Sequence, residues 1–344
     1  MIPLRLGMVG TGKIAGKHAV AISMTDKVEL VAVASRNLAS AQGFTAKHGG
    51  EPVEGFEALC AREDIDAVYI AVPTAAKEEI ALEALMQGKH VLVEKPLASY
   101  ESAKKLMKMA RAKSLAFMDA THFTHNPRTL TLLGLVLDED IGTPISLTAS
   151  FHADVGGREN IRFDPELEPY GVLGDLGWYC ARLVVDLVPD AIEYSACQAY
   201  GKFEKGALVG VTGVVTYMND GFRLGFDCSF TAGAFAQDMT LVGTKGIISM
   251  DDFVHDWERA RIGEEKPQFP AGFRLRRGRT DPAMVKFVVT PGEKSHIISM
   301  LEAFARYAGD PTGEEARSAG WRAVWTQETL DAIWRSLKKP KPEA

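Results

Sequence analysis

The sequence predicts an α/β protein: an N-terminal doubly wound parallel sheet, then an α+β domain with a large open, mostly antiparallel sheet. Three observations lead there. Residues 1 to about 121 alternate short apolar strands with amphipathic helices, as a parallel sheet with crossover helices requires. Beyond residue 122 long strand-like segments follow one another, and the best of them alternates apolar and polar residues strictly, as a sheet with one covered face does. At 344 residues the chain also exceeds what one hydrophobic core usually fills. The expected domains are 1–121 and 122–344, with a terminal helix near 315–337 packing back on the first.

The first strand, Leu4 to Val9, runs into Gly10-Thr11-Gly12-Lys13-Ile14-Ala15, a GxGxxA turn opening a helical pattern over residues 13–24. Gly10 allows the tight turn, Gly12 lets backbone approach a pyrophosphate, and Ala15 is small where helix meets strand. The helix start then faces the phosphates. Gly10, Gly12, Lys13 and Ile14 are therefore candidate contacts in a dinucleotide-binding, Rossmann-type domain. The second strand, Val28 to Ala34, ends in Ser35-Arg36-Asn37, where an NAD-binding chain normally presents an Asp or Glu to the ribose 2′-hydroxyl. No carboxylate stands there. A hydroxyl and a guanidinium suit a 2′-phosphate, so NADP is the expected cofactor, with NAD the alternative if Arg36 is an ordinary surface residue.

A third strand, Asp66 to Thr74, ends in a proline turn, and Val72, Pro73 and Thr74 join the expected cofactor contacts. Helices follow near 76–87 and 100–113, on either side of the strand His90-Val91-Leu92-Val93-Glu94-Lys95-Pro96-Leu97. Pro96 fixes its own φ, lacks a donor and pushes Lys95 toward an extended backbone, so that side chain is aimed. Lys95 is the candidate catalytic cation, and it and Glu94 complete the cofactor set. Leu115 to Met118 reads as the last strand of this domain.

In the second domain, Phe222 to Phe230 alternates as a half-covered strand, and Gly243-Thr244-Lys245-Gly246 reads as a hairpin turn. Leu330, Ile333, Trp334 and Leu337 form one stripe of a terminal helix, with Trp334 in the core. The densest basic run, Arg274 to Arg279, reads as a solvated hairpin or loop. Net charge is −6 and the pI is near 5.8, against nucleic acid or anionic membrane as the main partner. The four cysteines lack CxxC spacing, so neither a disulfide framework nor a metal site is expected. There is no signal-peptide core and no long apolar span, and the expected location is cytoplasmic.

Glu168 to Cys180 opens a helix in which Asp175 and Tyr179 stand four apart and so project from one face. They could relay a proton, or serve only as an early-helix charge and a buried ring. GTGKIA at 10–15, EKP at 94–96 and GDLGWY at 174–179 together resemble the glucose-fructose oxidoreductase and inositol dehydrogenase (Gfo/Idh/MocA) family over essentially the whole chain. The DxGxY form resembles its branch with dihydrodiol and xylose dehydrogenases and sugar-nucleotide ketoreductases. The resemblance implies catalytic Lys95 and Tyr179, Asp175 as their polar neighbour, and an open sheet used for dimer contacts, hence a homodimer or homotetramer. It also implies hydride transfer between nicotinamide and a carbinol carbon of a sugar, polyol or diol. Departures leave the substrate open: Lys77 stands where many relatives have His, and Thr124 replaces an Arg of the commoner EAxxxRxxP stretch. His125, Arg162 and Trp178 are candidates for the substrate wall. Two alternatives remain, a redox-neutral glycosidase with a tightly held cofactor and a dinucleotide-binding regulator without chemistry.

Overall fold

The computed structural model describes residues 2–188, 193–218, 220–255, 271–279, 281, 284–290 and 294–338. Its elements run β1 (Leu4–Val9), α1 (Lys13–Ile22), β2 (Val28–Ser35), α2 (Leu38–His48), β3 (Glu51–Glu54), α3 (Phe56–Cys60), β4 (Ala67–Ile70), α4 (Lys77–Met86), β5 (His90–Val93), α5 (Tyr100–Ala112) and β6 (Phe117–Asp119). Next come α6 (Pro127–Leu137), β7 (Pro144–His152), α7 (Trp178–Leu187), β8 (Tyr194–Glu204), β9 (Ala207–Tyr217), β10 (Arg223–Ser229), β11 (Met239–Gly243) and β12 (Gly246–Met250). The chain ends with β13 (Gly272–Arg277), β14 (Lys286–Val289), α8 (His296–Gly309), α9 (Glu314–Ser336) and β15 (Leu337–Lys338). Two compact units result, Met1–His125 with Lys294–Val324, and Asn126–Glu293 with Trp325–Ala344.

The first unit is a six-stranded parallel sheet in the order β3-β2-β1-β4-β5-β6. Its strands are nearly continuous apolar runs because helices cover both faces. Val9, Val68, Ile70, Val91 and Val93 pack with Leu85, Leu106, Ala323 and Val324 in one core. Polar residues set the helix starts: Asn37, Ser99 and Ser295 accept backbone N–H bonds as caps of α2, α5 and α8. The strand order reverses between β1 and β4, where an open parallel sheet leaves a crevice at its carboxyl ends.

The second unit carries a nine-stranded sheet in the order β14-β13-β12-β11-β7-β10-β9-β8-β15. It is antiparallel except for the β7–β10 and β8–β15 pairs. Leu147, Phe151, Leu224, Phe226, Val211 and Val215 point to the buried face, and Cys180 of α7 touches Cys228 of β10 there, Sγ to Sγ 3.8 Å. The hairpin turn lies at Thr244-Lys245 as its glycines predict. Arg128 is 1% exposed and donates to the Asp252 carboxylate and, at 2.7 Å, to the Asp252 carbonyl.

Two readings of the sequence need correction. The basic run is a strand over Arg274 to Arg277: Phe273 and Leu275 turn inward while Arg274 and Arg276 alternate with them on the other face, so a period of two outweighs the charge. Leu337 is not on the terminal helix, which ends at Ser336; its backbone instead pairs with Ala199 on the edge of β8. Trp334 is half-buried against the rings of Tyr170 and Phe203. No helix among the described residues is long and apolar enough to cross a membrane.

Burial holds the imidazoles of His18 and His90 below their ordinary proton affinity, and His90 Nδ1 accepts from the Ala116 N–H at 2.9 Å. Each titrates lower in the folded chain than in the unfolded one, so the unfolded chain binds more protons in acid. Stability from these two groups is therefore full above about pH 6.5 and is lost as the pH falls below it. Urea midpoints at pH 5 and pH 7 should differ in that direction, and replacing His90 by Asn should shrink the difference.

Candidate active site

At the crevice, Gly10 has a φ of +115°, and a Cβ there would meet the Ala71 carbonyl oxygen at 2.3 Å. Only glycine fits. The Gly10 N–H donates to Ala34 O at 2.9 Å, and the Ala71 N–H to Val9 O at 2.8 Å, so the turn is tied to both neighbouring strands. A Cβ on Gly12 would face open space. The helix behind it, α1, has no side-chain cap and no acidic residue in its first turn. Its free N–H groups and positive dipole end suit a pyrophosphate, so the residues present fit a dinucleotide. Lys13 is exposed and Ile14 half-buried beside them. Ser35 closes β2, Arg36 is exposed, and Asn37 is used as the cap of α2, accepting from Ala39 N–H at 2.8 Å. Val72, Pro73 and Thr74 follow β4, and Glu94 and Lys95 follow β5, so these candidates share the carboxyl edge of the sheet.

Lys95 is half-buried, and its peptide bond to Pro96 is cis. Beneath it lies a residue whose role was not read from the sequence. Lys77 is 2% exposed and its Nζ donates to Thr74 Oγ1 at 3.1 Å and to the Lys95 and Pro96 carbonyls at 2.9 Å each. A buried ammonium thus clamps the backbone of the turn that carries Lys95. Glu94, 8% exposed, accepts from the Tyr69 hydroxyl at 2.7 Å.

In the second unit Leu173–Gly177 is a π-helical turn leading into α7, not the plain α-helix expected around Asp175. Such wide single turns recur at functional sites. Asp175 accepts from Arg162 Nε at 2.5 Å, and this carboxylate, foremost, holds the guanidinium's proton affinity above its ordinary value, with Tyr179 contributing in the same direction. Tyr179 is 8% exposed, its ring 5.5 Å from that of Phe151. Phe151 also meets Phe235 and His255 edge-on at 5.8 and 6.1 Å. Arg162, Asp175 and Tyr179 are thus brought together. Trp178 is fully buried, the largest such side chain in the protein's described part, and a ligand would reach it only if its neighbours moved. His125 lies half-buried at the end of a 3₁₀ turn over His122–His125, and belongs to the first unit. No cluster of three or more His, Cys, Asp or Glu is placed to hold a metal among the described residues.

A glycine turn at the switch point of a parallel sheet, followed by an antiparallel unit with its own polar site, defines a class of dinucleotide-dependent oxidoreductases. The chain belongs to the Gfo/Idh/MocA oxidoreductase family; residues 4–121 match the family described as oxidoreductase, NAD-binding Rossmann fold. It is 34% identical over 251 residues to the dTDP-3,4-didehydro-2,6-dideoxy-alpha-D-glucose 3-reductase of Streptomyces antibioticus, covering 72% of this chain and 75% of that one. It is 28% identical to the D-xylose 1-dehydrogenase (NADP(+)) 2 of Haloferax volcanii over 97% and 98% of the two chains. Among solved structures it is similar to KijD10, a 3-ketoreductase from Actinomadura kijaniata in complex with NADP and TDP-benzene, with a TM-score of 0.84, 26% identity and 98% of each chain covered.

Removing the Lys77 ammonium leaves the Lys95 and Pro96 carbonyls without that donor, a loss of about 1–3 kcal/mol. Lys77→Met should lower the unfolding free energy by that amount in urea titrations, and an unchanged midpoint would remove the clamp from the account.

Proposed function

We propose that the protein reversibly transfers hydride between a nicotinamide and a carbinol or carbonyl carbon of a sugar-like substrate, with NADP(H) preferred over NAD(H). The observation that carries this is Lys95, fixed by Lys77 on the same strand-end edge as the Gly10–Gly12 turn. The dinucleotide, when bound, supplies or takes the hydride. Lys95 hydrogen-bonds the substrate oxygen and stabilises the negative charge that grows there in reduction, and Tyr179 exchanges the hydroxyl proton. Asp175 holds Arg162, which is available to a polar or anionic part of the substrate. Within the sugar class we favour a keto-sugar linked to a nucleotide. The named activities of the relatives support this, and Arg162 offers the planar fork of donors that a diphosphate would use.

An NADP-coupled absorbance screen over nucleotide-linked keto-sugars, free sugars, inositols and diols, run in both directions, tests this reading. Hydrolysis of a glycoside without net nicotinamide turnover would replace it with the redox-neutral alternative. In stopped-flow measurements Lys95→Ala should bind NADPH nearly as well as the unmutated protein but transfer hydride about 100-fold to 1000-fold more slowly. Tyr179→Phe should lose less, because water replaces a lost donor. Native rates in both variants would overturn the assignment.

Arg36 carries the cofactor preference in this reading. Its charge-assisted contact to a 2′-phosphate contributes about 1.5–3 kcal/mol. Fluorescence titration should therefore show NADPH binding more tightly than NADH, and Arg36→Ala should erase most of the gap.

We also propose a homo-oligomer built on the open face of the second sheet. That face carries Thr148, Thr212, Thr216 and Thr240 with Val214 44% exposed and Tyr200 50% exposed, alongside the opposite charges of Arg223 and Asp227. Light scattering at micromolar concentration should give a dimer or tetramer, and Val214→Glu should reduce it to monomer.

A further inference from the structure

We propose that His18, Tyr69 and Glu94 are positioning residues for Lys95, tying the helix that receives the dinucleotide to the strand end that carries the catalytic lysine. The inference rests on the reading of Lys95 as catalytic and asks what holds it in register. The three residues come from three elements, α1, β4 and the segment after β5. His18 and Tyr69 have no solvent exposure and Glu94 has 8%. An imidazole, a phenol and a carboxyl are thus buried where α1 meets the carboxyl edge of the parallel sheet, and each is unfavourable there unless hydrogen-bonded.

The hydrogen bonds run in one direction. The Tyr69 hydroxyl donates to Glu94 Oε1 at 2.7 Å, which uses its only proton. His18 Nδ1 lies 3.1 Å from the Ile14 carbonyl oxygen and 2.9 Å from the Tyr69 oxygen. A carbonyl only accepts, so Nδ1 carries the ring proton and shares it between the two oxygens. The order is therefore His18 to Tyr69 to Glu94, with the carboxyl oxygen as the last acceptor. Burial keeps the imidazole neutral at physiological pH. His18 Nε2 then presents a bare lone pair, without a hydrogen-bond partner, 3.9 Å from the same Oε1. The rings of His18 and Tyr69 lie in contact with centroids 4.4 Å apart and planes tilted by 31°.

The two ends of this chain give it a use. Ile14 lies in the first turn of α1, two residues after Gly12. Glu94 is joined covalently to Lys95, whose carbonyl and that of Pro96 are held on the far side by Lys77. A shift of the helix start on dinucleotide binding therefore reaches the lysine backbone through three hydrogen-bonded side chains. Apolar residues of the same volume would fill the space without fixing a direction or a distance.

The test uses the full-length protein, NADPH, and the most active carbonyl compound from the screen above. Tyr69→Phe keeps the ring contact and removes the link. It should bind NADPH within about twofold of the unmutated protein, leave KM unchanged, and slow single-turnover hydride transfer about tenfold, as expected for a displaced reacting group. A residue that acts through Lys95 has nothing to act on when Lys95 is absent. Added to Lys95→Ala, Tyr69→Phe should thus change the residual rate by less than about twofold. His18→Gln, which breaks the chain at its other end, should repeat the pattern if Tyr69→Phe folds poorly. A network that merely supports the core would lower the thermal midpoint and leave the rate of the folded enzyme unchanged, which overturns the inference. Equal losses in both backgrounds overturn it too, since Tyr69 would then act independently of Lys95. If Lys95→Ala itself transfers hydride at the native rate, the reading of Lys95 falls first and this inference with it.

Discussion

The arrangement of the first unit's site depends on how closely the end of β1 passes the end of β4. At Gly10 the gap admits a hydrogen atom and no more, because a methyl group would stand 2.3 Å from the Ala71 carbonyl oxygen. The backbone there is bonded on both sides, to Ala34 and through Val9 to Ala71, so the turn cannot drift toward either strand. From that fixed point α1 begins just after Gly12 with its first N–H groups uncapped by any side chain. The positive end of the helix, the reach of His18 to Tyr69, and the spacing from Gly12 to the β5 end all follow from one close approach.

Around this point the unit buries polar groups that a fold alone does not need. An ammonium at Lys77 and a phenol at Tyr69 both end on the segment 94–96. Desolvating such groups is costly, and their hydrogen bonds offset only part of it. What they add is directional. The Lys77 ammonium restrains the backbone on one side of Lys95, while the Tyr69 hydroxyl restrains the side chain of the residue before it. The second unit uses the same means differently: Arg128, 1% exposed, joins the start of α6 to Asp252, a charge pair inside the unit.

The repeating parts of this fold were legible because their signals are periodic or need a particular residue. Strand alternation found β10, a pair of glycines found the β11–β12 turn, and GxGxxA found the helix start, each by a local rule. Lys95 was singled out because a proline follows it. The failures share a cause as well. Lys77 looks like any lysine in the first turn of a charged helix, and only the return of the chain at 94–96 shows that it points inward. His18 sits in an amphipathic pattern in which an imidazole reads as neutral filler. Leu337 matched the helical stripe because periodicity cannot see that the backbone leaves the helix at Ser336 to pair with a strand distant in sequence. The arginines of β13 misled for the opposite reason, since their charge hid a clear alternation.

Asp175 and Tyr179 illustrate why spacing was insufficient at the site itself. Four residues apart on an α-helix, they share a face and one would explain the other. A π-helical turn over Leu173–Gly177 changes that phase, and each side chain is then held by something different. Asp175 is fixed by charge, through Arg162 on a separate 3₁₀ turn, while the Tyr179 ring is fixed by packing on Phe151 of β7. Packing sets the position of the phenol without lending it a charge. The carboxylate, meanwhile, is occupied in holding a guanidinium that also lies within electrostatic reach of Tyr179. In the proposed reaction the wide turn separates two tasks that a regular helix would have merged: orienting the Tyr179 phenol, and holding the Arg162 cation beside it.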